Sequence, residues 1–228
     1  MSLTPTLDDY GELRRAQSSP ELFADGFVHA MGLVGGAAGV AILLAFTARQ
    51  PGGLKLIAIC VYSICFMSML ACSAAYNIGY YSRWRGLFRR CDHCAIFLMI
   101  AGTYTPFTTQ LMDTLPAFGL TGAIWLTCLF GIVMKLVEPD VFERWSVPLY
   151  LALGWISVVV FGPIIGGCGL RTLALLAAGG ILYTVGVIFH AWQRLPFQNA
   201  IWHVFVLAAA ICHYWAVMDG IVLGPASA

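Results

Sequence analysis

The sequence predicts an all-α membrane protein, a seven-transmembrane-helix bundle with its amino terminus in the cytoplasm and its carboxyl terminus outside. Three observations lead there. First, 60% of the 228 residues are hydrophobic and 10% are charged, against about 25% charged in a soluble domain, and mean hydropathy is +0.84. Second, apolar runs long enough for a bilayer core of roughly 20 residues per helix recur seven times. They fall near 26–48, 55–81, 91–112, 116–137, 146–165, 172–193 and 199–222. Third, Lys and Arg are unevenly shared between alternate loops. One side holds nine (Arg14, Arg15, Arg83, Arg85, Arg89, Arg90, Lys135, Arg144 and Arg194), and the other holds three (Arg49, Lys55 and Arg171). The richer side belongs in the cytoplasm, beside anionic headgroups.

Residues 1–22 form a polar cytosolic tail with Asp8, Asp9, Glu12, Arg14 and Arg15, unlike the apolar core of a signal peptide. Within it, Leu7–Ala16 has a weak helical period. Residues 23–228 make the membrane domain. Glycine pairs at 35–36, 166–167 and 179–180 permit close helix contact. Most of the eight cysteines lie within apolar runs, where Cys behaves as a small hydrophobe. A net charge of +1 argues against nucleic acid as a partner. Membrane lipid is the expected partner, and the oligomeric state is not written in the sequence.

Polar groups inside lipid are expensive and mark function. In this topology Ser73 and Asn77 lie near the cytoplasmic end of the second helix, four apart and on one face. Asp92 opens the third helix from that side. Asn199 and His203, also four apart, open the seventh. His29 and His190 come at a similar depth, where they also suit interfacial anchoring. His213, ten residues beyond His203, lies about 15 Å deeper.

A carboxylate, a serine and a histidine at one depth suit metal-assisted hydrolysis, with Asp92 orienting or deprotonating a water. They equally suit a metal-free polar or proton pocket, or a hydrogen-bond network that only fixes packing, worth about 0.6 kcal/mol per bond. Cys91 and Cys94 add a C-x-x-C spacing that offers a metal site with His203, or two free thiols.

The stretches Ser73-Ala-Ala-Tyr76, Asp92-His93-Cys-Ala-Ile-Phe97 with Ala101-Gly-Thr-Tyr-Thr-Pro106, and Ile201-Trp-His203 with His213 resemble the hemolysin III branch of the progestin and adiponectin receptor family. Glu21-Leu-Phe-Ala-Asp-Gly-Phe-Val-His29-Ala-Met-Gly32 is similar to that family's opening motif. The resemblance runs from Glu21 to about Val217. It implies seven helices with a cytoplasmic amino terminus. It also implies a zinc ion held by a histidine four residues after the second-helix serine and by an i, i+4 histidine pair opening the seventh helix. The third-helix aspartate supports a zinc-bound water. Alkaline ceramidases among the relatives imply lipid-amide hydrolysis.

Carried over by position, the first two ligands fall on Asn77 and Asn199, while His203, Ser73 and Asp92 match. An amide oxygen is a weak zinc donor beside imidazole, so zinc is doubtful at this residue set. The resulting expectation is a family member with a degenerate zinc site, engaged in lipid sensing or membrane-lipid homeostasis in a bacterial inner membrane. The alternative is a zinc-dependent hydrolase of lipid amides or esters, with Ser73 and Asp92 catalytic. Pore-forming lysis is the least favoured reading, since no stripe of charges suggests an aqueous channel.

Overall fold

The structure is a computed structural model that describes residues 6–7, 13–14, 17–111, 115–164 and 169–224. Among these residues there are seven α-helices: α1 Ser19–Thr47, α2 Gly53–Ile78, α3 Arg85–Leu111, α4 Leu115–Val137, α5 Pro139–Ile164, α6 Leu170–Ala191 and α7 Gln198–Val217. A π-helical turn, Met218–Val222, continues α7. Two short strands, β1 Thr6–Leu7 and β2 Leu13–Arg14, pair antiparallel. The weak helical period read in Leu7–Ala16 is therefore overturned where the structure describes it, because Leu7 and Leu13 pair as extended partners.

Five segments are long and apolar enough to cross a membrane: Ser19–Thr47, Gly53–Ile78, Phe118–Val137, Leu170–Ala191 and Gln198–Val222. Their outward faces carry large hydrophobics such as Phe27, Ile57, Ile64, Leu126 and Ile188. Such an apolar exterior is a liability in water and the normal condition against hydrocarbon. The other two helices, α3 and α5, begin in charged turns, with Arg85, Arg89 and Arg90 in one and Asp140, Glu143 and Arg144 in the other.

Several helices start earlier than hydropathy indicates. The expected starts at 26, 91 and 146 are at Ser19, Arg85 and Pro139. Charge marks where lipid ends, whereas a helix continues into the headgroups while its backbone remains paired. At α1 the start is set by a capping box: Glu21 accepts from the Ser18 backbone N–H and hydroxyl, each at 2.8 Å, and Pro20 sits in the first turn. Asp92 consequently lies two turns inside α3 rather than at its opening.

Consecutive helices pack on one another, α7 closes against α1, and α3 sits centrally against α2, α4, α5 and α7. The threonines of α3 spend their hydroxyls locally. Thr103, Thr105 and Thr109 each donate to the carbonyl four residues back, which satisfies them in an apolar setting. Two side-chain bonds stitch α4 to α3, Thr121 to Thr108 at 2.6 Å and the Trp125 indole to Thr105 at 3.1 Å. At the far end, Gln50 donates to the Val222 carbonyl at 2.6 Å and Thr172 to Asp219 at 2.7 Å, which ties the π-turn to α1 and α6.

A candidate metal centre at one end of an internal cavity

One stripe of α1 is buried: Glu21, Asp25, His29, Gly32, Gly36, Leu43 and Thr47. The three- and four-residue spacing keeps these residues on one face, and that face meets α2 and α7. Its first two members are carboxylates, 6% and 2% exposed. Buried acids need partners, and both have them on or near α7. Glu21 accepts from the Phe197 backbone N–H at 2.8 Å. His203 Nδ1 donates to Asp25 Oδ1 at 2.6 Å.

His29, one turn after Asp25, completes a cluster. Its Nε2 lies 3.7 Å from Asp25 Oδ1, and its ring centroid is 4.3 Å from that of His203. The ligand-capable atoms of Asp25, His29 and His203 all fall within 4.8 Å of one another. His29 Nε2 is buried and has no hydrogen-bond partner, in a setting where an unsatisfied polar atom carries a full desolvation penalty. Among the described residues this is the one group of His, Cys, Asp or Glu with metal-ligand spacing.

The cluster stands at one end of a cavity of about 170 Å³. His29, His203, Ser73 and Asp92 line that end. From there the cavity follows α3 as far as Phe107, about 22 Å at 1.5 Å per residue. It is narrow and mostly apolar, with Met69, Ile96, Ile100 and Leu207 on its walls and His213 in its deeper part. α5 closes one side. It is held to α3 by the Tyr104 hydroxyl donating to the Leu153 carbonyl at 2.5 Å and by the Tyr150 hydroxyl donating to the His93 carbonyl at 2.9 Å.

Of the residues singled out from sequence, Ser73, Asp92, His203, His29 and His213 share this cavity. Asn77 and Asn199 are not among its lining residues. The Asn77 amide donates to the Ser73 carbonyl at 2.9 Å, within its own helix. Both carboxamides therefore lie outside the cavity lining, while Asp25 and His29 stand beside His203. His190 packs its ring on Trp202, 5.0 Å between centroids. A Cys91–Cys94–His203 metal group is not formed either. Cys91 is exposed, and the Cys94 thiol points to the Ile132 carbonyl on α4.

Asp25 and Glu21 went unassigned from sequence because both fell at the border between the tail and the first apolar run. The signal was present in the spacing 21, 25, 29, 32, 36, which continues the glycine stripe of α1 into its charged first turns.

Apolar helices of membrane length and a buried Asp–His–His cluster between α1 and α7 define a multi-pass integral membrane protein with a buried polar centre. Comparison places it among known proteins. The chain belongs to the haemolysin-III related family, whose model matches residues 21–214. It is 31% identical to Hemolysin-3 of Bacillus cereus over 90% of this chain and 94% of that one. It is 29% identical to the Hemolysin-3 homolog of Bacillus subtilis (strain 168) over 87% and 93%. A shorter match, 31% identical over 60% of this chain and 57% of the other, is to the monocyte to macrophage differentiation factor of Homo sapiens.

Proposed function

We propose that this protein binds lipid in its internal cavity and holds a zinc ion between Asp25, His29 and His203 at the cavity's polar end. The observation that carries the reading is the convergence of these three side chains, one of them with an orphaned nitrogen and two of them lining one end of a long, mostly apolar hollow. The donor set fits the ion. Two imidazoles and a carboxylate suit zinc, and three protein donors leave a position open, as in catalytic rather than structural zinc sites. When bound, the ion supplies a Lewis-acidic centre where a lipid's polar head would lie.

The chain's own residues do the rest. Asp25 also accepts a hydrogen bond from His203, which fixes the orientation of that ring. Ser73 and Asp92 present hydrogen-bonding groups to the lipid head, and the apolar wall accepts its chain. A role in membrane-lipid sensing or homeostasis follows from such a site. Metal analysis of the purified protein tests it, together with mass spectrometry of copurified lipid. Near-stoichiometric zinc and retained lipid are expected. A metal-free wild type with an empty bundle overturns the reading.

The presence of Ser73 and Asp92 together on the cavity wall favours a second reading, hydrolysis of a lipid amide or ester with Asp92 as general base. Chelator-sensitive turnover of ceramide or phospholipid that disappears in Asp92→Asn supports it. Turnover indifferent to both counts against it. The apolar lining offers no water-filled path, so pore formation is not favoured.

We further infer seven crossings with the amino terminus in the cytoplasm of a bacterial inner membrane. The nine-to-three distribution of Lys and Arg supports that orientation. Reporter fusions at residues 50 and 81 should report opposite sides.

A further inference from the structure

The cavity contains a second polar station that the centre at its end does not use. His213 lies ten residues beyond His203 on α7, about 15 Å further along the helix, and lines the same hollow. Both of its ring nitrogens are buried and neither has a hydrogen-bond partner. Its ring lies against Tyr183 of α6, 5.7 Å between centroids, and Tyr183 also lines the cavity. α6 is cut away to seat that ring. A Cβ on Gly179 would stand 2.5 Å from both Cδ2 and Nε2 of His213. A leucine or phenylalanine would fill such a place without leaving two polar atoms unsatisfied in an apolar interior.

We propose that the cavity is a two-station site for an amphiphile that carries a second, neutral hydrogen-bonding group, a hydroxyl or carbonyl, partway down its chain, received by His213. The proposal rests on the lipid reading above. A neutral imidazole has one donor and one acceptor, so it pairs with a hydroxyl in either sense. A charged group does not belong there, since no Lys or Arg is among the described lining residues. A single-bonded chain advances about 1.2 Å per bond, as an extended backbone does. The 15 Å between stations therefore corresponds to about a dozen bonds, which places the second group near the middle of a long acyl chain.

The test compares stearamide with the amide of a mid-chain hydroxystearic acid, each binding to the purified full-length protein in nanodiscs. The hydroxylated amide should bind about tenfold tighter, equivalent to 1.4 kcal/mol. His213→Phe, which keeps an aromatic ring in the Gly179 recess, should abolish that preference, so that the two amides bind the variant equally well. In wild type the His213 ring resonances should shift with the hydroxylated amide and not with stearamide, a readout that needs no variant. Equal affinity of the two amides in wild type, or a preference that survives His213→Phe, overturns the second station alone. Failure of both amides to bind overturns the lipid reading, and the second station with it.

Discussion

His203 Nδ1 and Asp25 Oδ1 stand 2.6 Å apart although 178 positions separate them in the chain. This contact joins the first helix to the last and sets the stereochemistry of the polar centre. Asp25 is 2% exposed, and the two imidazoles of His203 and His29 are its neighbours in the bundle.

The first prediction separates the residues the structure brings together from those the family resemblance designates. Asp25→Asn keeps the size of the side chain and removes its charge. Zinc content of the purified protein should fall at least tenfold, since a neutral amide oxygen is a poor zinc donor. Asn77→Ala should leave metal content unchanged, because Asn77 lies outside the cavity lining and its amide N–H donates to the Ser73 carbonyl. Elemental analysis of the two variants decides the matter, and the opposite ranking would return the site to the family's positions.

A second prediction concerns the linkage between metal and fold. An ion that binds only the folded chain stabilises it by about 2.7 kcal/mol at a hundredfold excess over its dissociation constant. Zinc should raise the unfolding temperature of the wild type in detergent by several degrees, and a chelator should reverse the rise. His29→Ala removes the orphaned nitrogen and should abolish the response. Its own cost in the absence of zinc should be small, since His29 Nε2 makes no hydrogen bond.

Much of this arrangement was legible in the sequence. The helices follow from apolar runs of membrane length, and the shared depth of Ser73, Asp92 and His203 follows from helix polarity. His29 and His213 were placed by the same reasoning. What hydropathy could not resolve was the helical rotation of α1. Asp25 and Glu21 read as edge charges until the packing of α1 against α7 turns them inward. Nor does sequence reveal that Asn77 turns to its own backbone, since an i, i+4 spacing from Ser73 fixes a face but not a side-chain partner. The glycine pairs were informative in part. Gly36 admits the Leu70 and Phe66 side chains, and Gly179 admits His213, while 166–167 lie outside the described residues.

The third prediction addresses how α7 is held in register. Phe197, the residue before α7, has φ 58°, a left-handed conformation that a non-glycine residue adopts at some cost. Its N–H is fixed by Glu21, which also caps α1. One carboxylate therefore pins the amino-terminal ends of both helices that build the centre. Glu21→Gln loses one of these acceptor roles and should destabilise the protein by about 1–3 kcal/mol. Zinc affinity should weaken with it, because His203 lies less than two turns into the helix so anchored. Thermal unfolding and zinc titration on one preparation check both effects, and unchanged values would show the clasp to be incidental.

The last prediction uses two adjacent glycines as each other's control. A Cβ at Gly179 would meet His213 at 2.5 Å, whereas at Gly180 it would meet only the Trp155 ring, at 3.6 Å. The first distance forces the imidazole or the helices to move, and the second is ordinary van der Waals contact. Gly179→Ala should therefore cost about 1–3 kcal/mol, as overpacked sites do. Gly180→Ala should be nearly neutral or slightly stabilising, because alanine restricts the unfolded chain more than glycine. If the cost at 179 arises from the His213 ring, removing the ring should relieve it. The double variant Gly179→Ala, His213→Ala should then be closer to His213→Ala than Gly179→Ala is to wild type, a coupling that thermal unfolding of the four proteins measures directly. Additive costs would mean that the clash is absorbed by α6 itself, and that the recess at Gly179 serves helix packing rather than the histidine.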